Sequence, residues 1–433
     1  MLEIIIGDCN NEVDLESIEI YIRTNMHRVG RMILEKYINM HPDSKPEIKK
    51  RCLEGKQAKY VEQREKELMT VLGKIRIKRN YYYDAERGEG FCPKDKELGI
   101  EGVSFSPGVQ RMMGRVGSNR PFGMSEEDLL ELAGLEINAK AIERSCHQLG
   151  KEAEEFMEAT SEAKDNLRKE EKVKREEIVY ISMDGTGVPV IKEETEGRKG
   201  KSEDGKSKTR EAKLGCIFTQ TKLDKDNRPM REESSTTYVG KIETAEDFGK
   251  RINQEAVRRG IENAKRVCVI GDGAAWIWNI VEDNFPTALQ IIDLYHAREH
   301  YWECAKLVYP AKSKRLAQWT ERRKTELDQG KVEAVIKAIK RLCPKTEEAE
   351  SACKSAIHYF EKNKKRMRYN RFRAEGLFVG SGIIEAGCRT VIGQRLKQSG
   401  MHWTVSGANS ILALRCLLRS GRWEDFWEYR AAA

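Results

Sequence analysis

The chain has 433 residues, of which 39% are hydrophobic, enough for two or three domains with real cores. Lys and Arg number 78 against 70 Asp and Glu, and the resulting net charge of +8 favours a polyanionic partner without establishing one. The 11 cysteines include no C-x-x-C pair, which argues for a reducing cytosol; the start MLEIIIGDCNNEVD lacks the basic flank of a signal peptide, and no apolar run is long enough to span a membrane.

Residues 1–75 read as a helical arm. Ile18, Ile22, Val29, Ile33, Leu34 and Tyr37 recur at helical spacing, and a second, very polar helix is expected over 47–72. Such an arm either packs or dimerises, or is a solvated helical hairpin. Over 71–83, VLGKIRIKRNYYY alternates apolar and basic residues, as in a strand with one basic face, followed by a Gly-rich turn. This ribbon is either a nucleic-acid contact or structural. Ser106-Pro107 opens a helix over 105–117. Ser125 and Asp128 read as a capping box, Gly134 breaks that helix, and Asn138 caps the next, which carries Ala141, Ile142 and Cys146. Two short helices around a glycine turn fit a helix-turn-helix, or any helical hairpin, so 76–150 is expected to be the DNA-binding region. Residues 151–176 are highly charged and read as a linker helix.

From 177 the texture changes. EIVYISMDG is a buried-type strand ending at Asp184, and LGCIFTQTK (214–222) and SSTTYVGKI (234–242) are two more, with turn residues around Asp226, Asn227 and Pro229. Thr244 caps a helix; RVCVIGDGA (266–274) is strand four, AWIWNIVEDNFP a helix, and ALQIIDLYH (288–296) strand five. This β-β-β-α-β-α-β order is that of an RNase H-like fold. The expected architecture is therefore an α/β RNase H-like catalytic domain with a mixed five-stranded sheet (177–300 and 375–433), carrying a helical insertion (301–374) and preceded by a mainly helical DNA-binding region.

Asp184 ends strand one, Asp272 ends strand four, and Glu385 lies on a helix begun by the Gly-rich Gly380-Ser381-Gly382. Each acid alone reads as a turn former, a cap or a solvated helix position; together they sit where phosphoryl transfer needs carboxylates for two divalent ions, Mg²⁺ or Mn²⁺. Arg389, Arg395 and Lys397 follow the Glu385 helix, with His402 and Trp403 beyond; they suit backbone contact and base stacking, or else a helix C-terminus with Trp403 in the core. Trp276 and Trp278 read as core. The run KNKKRMRYNRFR (362–373), with Lys364, Lys365, Arg366 and Arg368, suits phosphate contact or a solvated face.

The segments MDGTGVPV, KTREAKLGCIFTQT, STTYVGKIETAEDFGKR, VIGDGAAWIWN, IIDLYHAREHYWE and RMRYNRFRAEGLFVGSGIIEAGCRTVIGQRLKQSGMHWTVSGANSILALRC, spread over roughly 177–430, resemble the Kra-type bacterial insertion-sequence transposases, which are DDE transposases. The resemblance implies Asp184, Asp272 and Glu385 as the catalytic, metal-binding triad. Asp293-Leu294-Tyr295-His296 resembles the acid-or-Cys-x-x-His motif of Mutator-like transposases, which implies that His296 is a further catalytic residue close to the active centre, contacting the scissile phosphate or ordering the site; a buried histidine bonded to Asp293 is the other reading. Implied partners are double-stranded DNA, as terminal inverted repeats and target, and a second copy in a dimer or higher assembly, in the bacterial cytoplasm. Relatives place two cysteines in the ribbon where this chain has Asp84 and Arg87, so Cys92 stands alone and the ribbon must fold by packing. Two other functions remain open: a non-enzymatic DNA-binding protein, repressor-like or domesticated, and another RNase H-fold nuclease.

Overall fold

The structure is a computed structural model and describes residues 14–40, 49–51, 57–86, 88–162, 177–200 and 207–432. The chain divides into two units, 1–146 and 147–433.

The first unit is built on an antiparallel sheet of β1 (Lys49–Arg51), β2 (Gln57–Thr70), β3 (Gly73–Asp84) and β4 (Glu89–Phe91) in sequential order. The polar stretch expected as a helix is therefore strand β2, paired with β3 from Lys59↔Tyr83 to Thr70↔Gly73. Its Glu, Lys, Gln and Arg are good helix formers, but Leu68 and Thr70 turn inward with period two and tertiary pairing overrides propensity. On β3 the alternation is as expected: Ile75 and Ile77 are buried between exposed Lys74, Arg76 and Lys78.

Helix α1 (Leu15–Met40) lies on β3. Leu34 and Ile38 pack on a core of Leu68, Ile75, Ile77 and Ile100. Asn39 Nδ2 donates to the Arg76 carbonyl at 2.9 Å, and the N–H groups of Arg76 and Lys78 donate to Glu35 Oε2 and Asn39 Oδ1, each at 2.9 Å. The helix thus satisfies backbone groups on the strand flank opposite β2, which would otherwise invite another strand. Asp84 is buried at the end of β3 and accepts the Glu86 N–H at 3.0 Å, so a carboxylate closes the turn.

Short α2 (Pro93–Glu97) is followed by α3 (Pro107–Asn119), capped by Ser106 with Pro107 in its first turn. The expected capping box at Ser125 does not form. Helix α4 (Phe122–Ala133) begins one turn earlier, so Ser125 is buried inside it and its hydroxyl donates to the Pro121 carbonyl at 3.0 Å. Gly134, left-handed at φ 67°, ends α4, and Asn138 caps α5 (Ala139–Glu162), both as expected. The described part of the charged linker, up to Glu162, continues α5; residues 163–176 lie outside the described residues.

The second unit is a mixed α/β structure. Its strands are β5 (Ile178–Pro189), β6 (Thr209–Leu223), β7 (Pro229–Arg231), β8 (Thr237–Lys241), β9 (Arg266–Gly271) and β10 (Leu289–Ile292). The sheet runs β10-β9-β5-β6-β7, and β8 also pairs with β6. β5, β6 and β8 are mutually antiparallel in turn, whereas β9 and β10 run parallel to β5. The sheet has six strands rather than five, because the turn at Asp224–Arg228 closes a hairpin between β6 and the short β7; Asn227 takes φ 58° there and Asp224 Oδ1 accepts the N–H groups of Asp226 and Arg228. Helix α6 (Ala245–Arg258), capped by Thr244, connects β8 to β9, and α7 (Ala275–Asn284) connects β9 to β10. Strand β10 stops at Ile292, short of the expected 296, because Asp293 is already the cap of α8 (Leu294–Val308).

Helices α9 (Lys314–Asp328), α10 (Val332–Lys340), α11 (Glu347–Asn363) and α12 (Tyr369–Ala374) follow without an intervening strand, where the helical insertion is expected. The chain then forms α13 (Gly382–Gly387), a π-helical turn (Cys388–Gly393), α14 (Gln394–Leu396), α15 (Val405–Arg419) and α16 (Trp423–Ala432). A π turn strands carbonyls that an α-helix would bond. Buried Arg415 of α15 donates to those of Thr390 and Val391, the latter at 2.6 Å.

Candidate active site

In β5 the run Val179–Met183 is buried, and Asp184 is the first residue to emerge. The parallel ladder pairs Ile178 with Arg266 and ends at Ser182↔Ile270, where the Ser182 hydroxyl donates to the Ile270 carbonyl at 2.8 Å. The same offset carried two residues further sets Asp184, midway along β5, level with Asp272, just past the end of β9. Backbone N–H groups orient both acids: Gly185 donates to Asp184 Oδ1 and Ala274 to Asp272 Oδ1, each at 2.7 Å. The Trp278 indole N–H donates to the Asp272 carbonyl at 2.9 Å. Next in the chain, Gly273 has to be glycine, because a Cβ there would fall 2.1 Å from the Tyr359 ring.

Glu385 comes from α13. It is exposed, and the Ser381 hydroxyl donates to its Oε1 at 2.8 Å. The start of α13 is itself fixed by Asp293, a carboxylate only 1% exposed. Asp293 Oδ1 accepts the His296 N–H at 2.6 Å and Oδ2 accepts the Ser381 N–H. The Asp293 N–H donates to the Gly271 carbonyl at 2.8 Å, and the Leu294 N–H to that of Val379 at 2.9 Å. Asp293 therefore joins the end of β9 through its backbone N–H, and the first turn of α8 and the helix that bears Glu385 through its buried carboxylate.

The three acids share one electrostatic environment. Burial raises the Asp184 pKa most, the charges of Asp272 and Glu385 add to the rise, and the Cys388 thiol and the Gly185 N–H oppose it by hydrogen bonding. Burial and then Asp184 push the Cys388 thiol up in turn. Carboxylate oxygens held among like charges suit a hard divalent cation. Among the described residues, however, no three His, Cys, Asp or Glu side chains are gathered closely enough to form a ready metal cluster. Asp184 and Asp272 are level and preoriented, and Glu385 stands further out on its helix.

His296 is not the buried side chain bonded to Asp293 of the alternative reading. Only its backbone bonds Asp293; its ring is half exposed, with Nδ1 at 3.2 Å from Glu299. One helical turn on, His300 points inward and stacks on Tyr359 of α11, ring centroids 3.7 Å apart. Burial and the neighbouring His296 lower its pKa to about 4, against an opposing pull from Asp272. His300, Tyr359, Ser381 and Cys388 were not anticipated from the sequence. The i, i+4 histidines in YHAREH were the available signal for His300.

The expected DNA-contacting residues separate into two groups. Lys397 is exposed, its ammonium 2.7 Å from the Thr186 hydroxyl, two residues beyond Asp184. Arg389, His402, Lys364 and Lys365 are exposed. The others are engaged within the fold. Arg395 is fully buried with its guanidinium 4.9 Å from the Trp403 ring, and Trp403 is 8% exposed with its indole N–H on the Leu396 carbonyl, so neither presents a surface to a phosphate or base. Arg366 lies over the Trp278 ring at 4.3 Å and bonds Gln290 and Asn363, and Arg368 pairs with Glu333. Trp278 is core, as expected.

The larger unit is thus a mixed α/β structure that carries Asp184 midway along β5 and Asp272 just past the end of the adjacent parallel strand β9. The chain belongs to an uncharacterised protein family, UPF0236, whose sequence profile matches residues 9–426. No curated protein matches it. Among solved structures it is similar to a chain of the Drosophila P element transposase strand transfer complex, at 10% identity and a TM-score of 0.33, over 75% of this chain and 94% of that one. Among the described residues no helix is long and apolar enough to cross a membrane.

Proposed function

We propose that this protein is a transposase of the DDE type, which cleaves and joins DNA strands at the ends of an insertion sequence. The observation that carries the reading is the level placement of Asp184 and Asp272, with Glu385 close enough to raise the Asp184 pKa. The RNase H-like order and direction of the strands, and the resemblance to Kra-type transposases, support it.

Asp184 and Asp272 would hold the metal, Mg²⁺ or Mn²⁺ and in the expected arrangement two ions, with Glu385 as the third carboxylate. Bound there, the metal would stabilise charge on the attacking and leaving oxygens of a phosphodiester. The protein's own part is positioning. The N–H groups of Gly185 and Ala274 fix the two aspartates, Ser381 turns Glu385, and exposed Lys397 beside Asp184 offers a cation to a phosphate. The remaining exposed cations, Arg389, Lys364, Lys365 and His402, would meet the DNA backbone, and the first unit would recognise the terminal inverted repeats.

The test is cleavage of a supercoiled plasmid carrying the element ends, with Mg²⁺ or Mn²⁺. Asp184→Asn, Asp272→Asn and Glu385→Gln should each lower strand cleavage by at least about a thousandfold while end binding persists. Equal cleavage by the wild type and all three variants would remove the triad assignment. End binding without cleavage by the wild type under any metal condition would make the protein a DNA-binding module.

A further inference from the structure

Helix α1 has 26 residues and none of them is buried. Its Leu34, Ile38, Glu35 and Asn39 side face the first unit's sheet. On the opposite side Leu15, Ile22, Met26, Ile33, Tyr37 and Met40 are exposed, Ile22 least at 45% and Leu15 most at 70%. At about 100° per residue these six fall within an arc of roughly 60°, a stripe along the ~39 Å helix interrupted in that arc by Glu19 between Leu15 and Ile22. Exposed apolar surface on this scale marks a contact surface for a protein, a membrane or a ligand.

We propose that this stripe is the contact surface for a second copy of the chain, with the two α1 helices antiparallel. The first reason is self-complementarity. Turning the helix about a point between His27 and Arg28 sets Leu15 level with Met40 and Ile22 with Ile33, while Met26 and Tyr37 come level with the flanking Val29 and Ile18, so apolar residues meet in register across a two-fold axis. The second is charge. Glu16 and Glu19 occupy the first turns, whereas Arg23 and Lys36 follow; Arg28, Arg31 and Glu35 lie on the sheet side. An antiparallel pair sets the acidic end of each copy against the Lys36 end of the other; a parallel pair would set like against like. Antiparallel helix dipoles add to the preference. The third is size: six large side chains at this exposure offer on the order of 700 Å² per copy, close to the ~800 Å² per partner of a standard stable interface. This surface is separate from the acidic site, so it stands or falls independently of the proposed chemistry.

Sedimentation velocity of the full-length protein across micromolar concentrations tests it. The wild type should sediment as a dimer, twice the 49.7 kDa chain mass. Ile22→Glu/Ile33→Glu, whose side chains are already exposed in the single chain, should keep its circular dichroism and raise the dimer Kd by about a hundredfold or more. Glu16→Lys/Glu19→Lys turns attraction into repulsion only in the antiparallel pair, and should weaken the dimer about tenfold at low salt. A monomeric wild type, or a dimer untouched by Ile22→Glu/Ile33→Glu, overturns the proposal. So does loss of DNA binding in that variant with no change in mass, which would assign the stripe to nucleic acid. A dimer insensitive to Glu16→Lys/Glu19→Lys overturns the antiparallel arrangement.

Discussion

Asp293 offers the sharpest test of how the acidic site is held. Replacing it with alanine removes two acceptors at once. Loss of the α8 cap, where Oδ1 receives the His296 N–H at 2.6 Å, costs about 1 kcal/mol. Loss of the acceptor for the buried Ser381 N–H costs a further ~1.5–3 kcal/mol, because that bond is charge-assisted and its donor has no water to turn to. Relief of a buried carboxylate's desolvation returns part of this, so Asp293→Ala should lower stability by about 3 kcal/mol. Asp293→Asn keeps one carbonyl acceptor and should lose roughly half as much. Urea denaturation followed by fluorescence and circular dichroism reads both, with an unchanged m-value required if the native state is otherwise intact. An Asp293→Ala loss below about 0.5 kcal/mol would refute the idea that this carboxylate joins α8 to α13.

Two further predictions follow from buried ionisable groups. Burial raises the pKa of Glu255, but the bidentate Arg258 guanidinium, at 2.6 and 2.7 Å, outweighs it and brings the value down to about 2; its stabilising contribution is therefore complete above the unfolded value near 4.5 and fades as pH falls toward 2. Glu255→Gln should cost about 3 kcal/mol at pH 7 and remove that acid-side slope; a variant as stable as wild type would contradict the pairing. His300, with its pKa lowered to about 4 by burial and then by His296, behaves oppositely to a histidine that gains a partner. Above about pH 6.5 both folded and unfolded states hold it neutral; between there and pH 4 the unfolded chain binds a proton that the folded one refuses. Stability should drop by on the order of 1–2 kcal/mol across that window, allowing for the ring's partial exposure. His300→Gln should flatten this part of the curve in denaturation at pH 7 and 4.5, and an unchanged slope would place the titration elsewhere.

Most of the second unit's architecture was legible because its strands are buried on both faces. Such strands read as unbroken apolar runs, as in IVYISM and RVCVIG, bounded by turn residues. Where local signals conflicted with pairing, the sequence misled. β2 is rich in helix-forming residues, and its inward period of two is confined to a few positions near Leu68. Ser125 has the spacing of a capping box, but Pro121, four residues earlier, precedes the helix start. The short β7 hid inside what read as a turn, since three residues ending in Arg231 carry no periodicity.

The site divides along a similar line. Asp184 and Asp272 were legible as candidates because each follows an unbroken apolar run and the chain order makes those runs neighbouring strands, although β5 does not end at Asp184 as expected but continues to Pro189. Glu385 could be placed on a helix but not relative to the aspartates, since that depends on the Asp293 junction, whose partners lie 22 and 88 residues away, at Gly271 and Ser381. The same limit explains the basic residues. Sequence shows a cation at Arg395 and at Lys397, two residues apart; only packing reveals that one is sealed against Trp403 while the other reaches Thr186 beside Asp184. A guanidinium stacked on an indole and buried cannot exchange with a phosphate without opening the core. Of these two cations, Lys397 is the one whose replacement by alanine should weaken DNA binding with a reduced salt dependence, whereas Arg395→Ala should show itself first as lost stability.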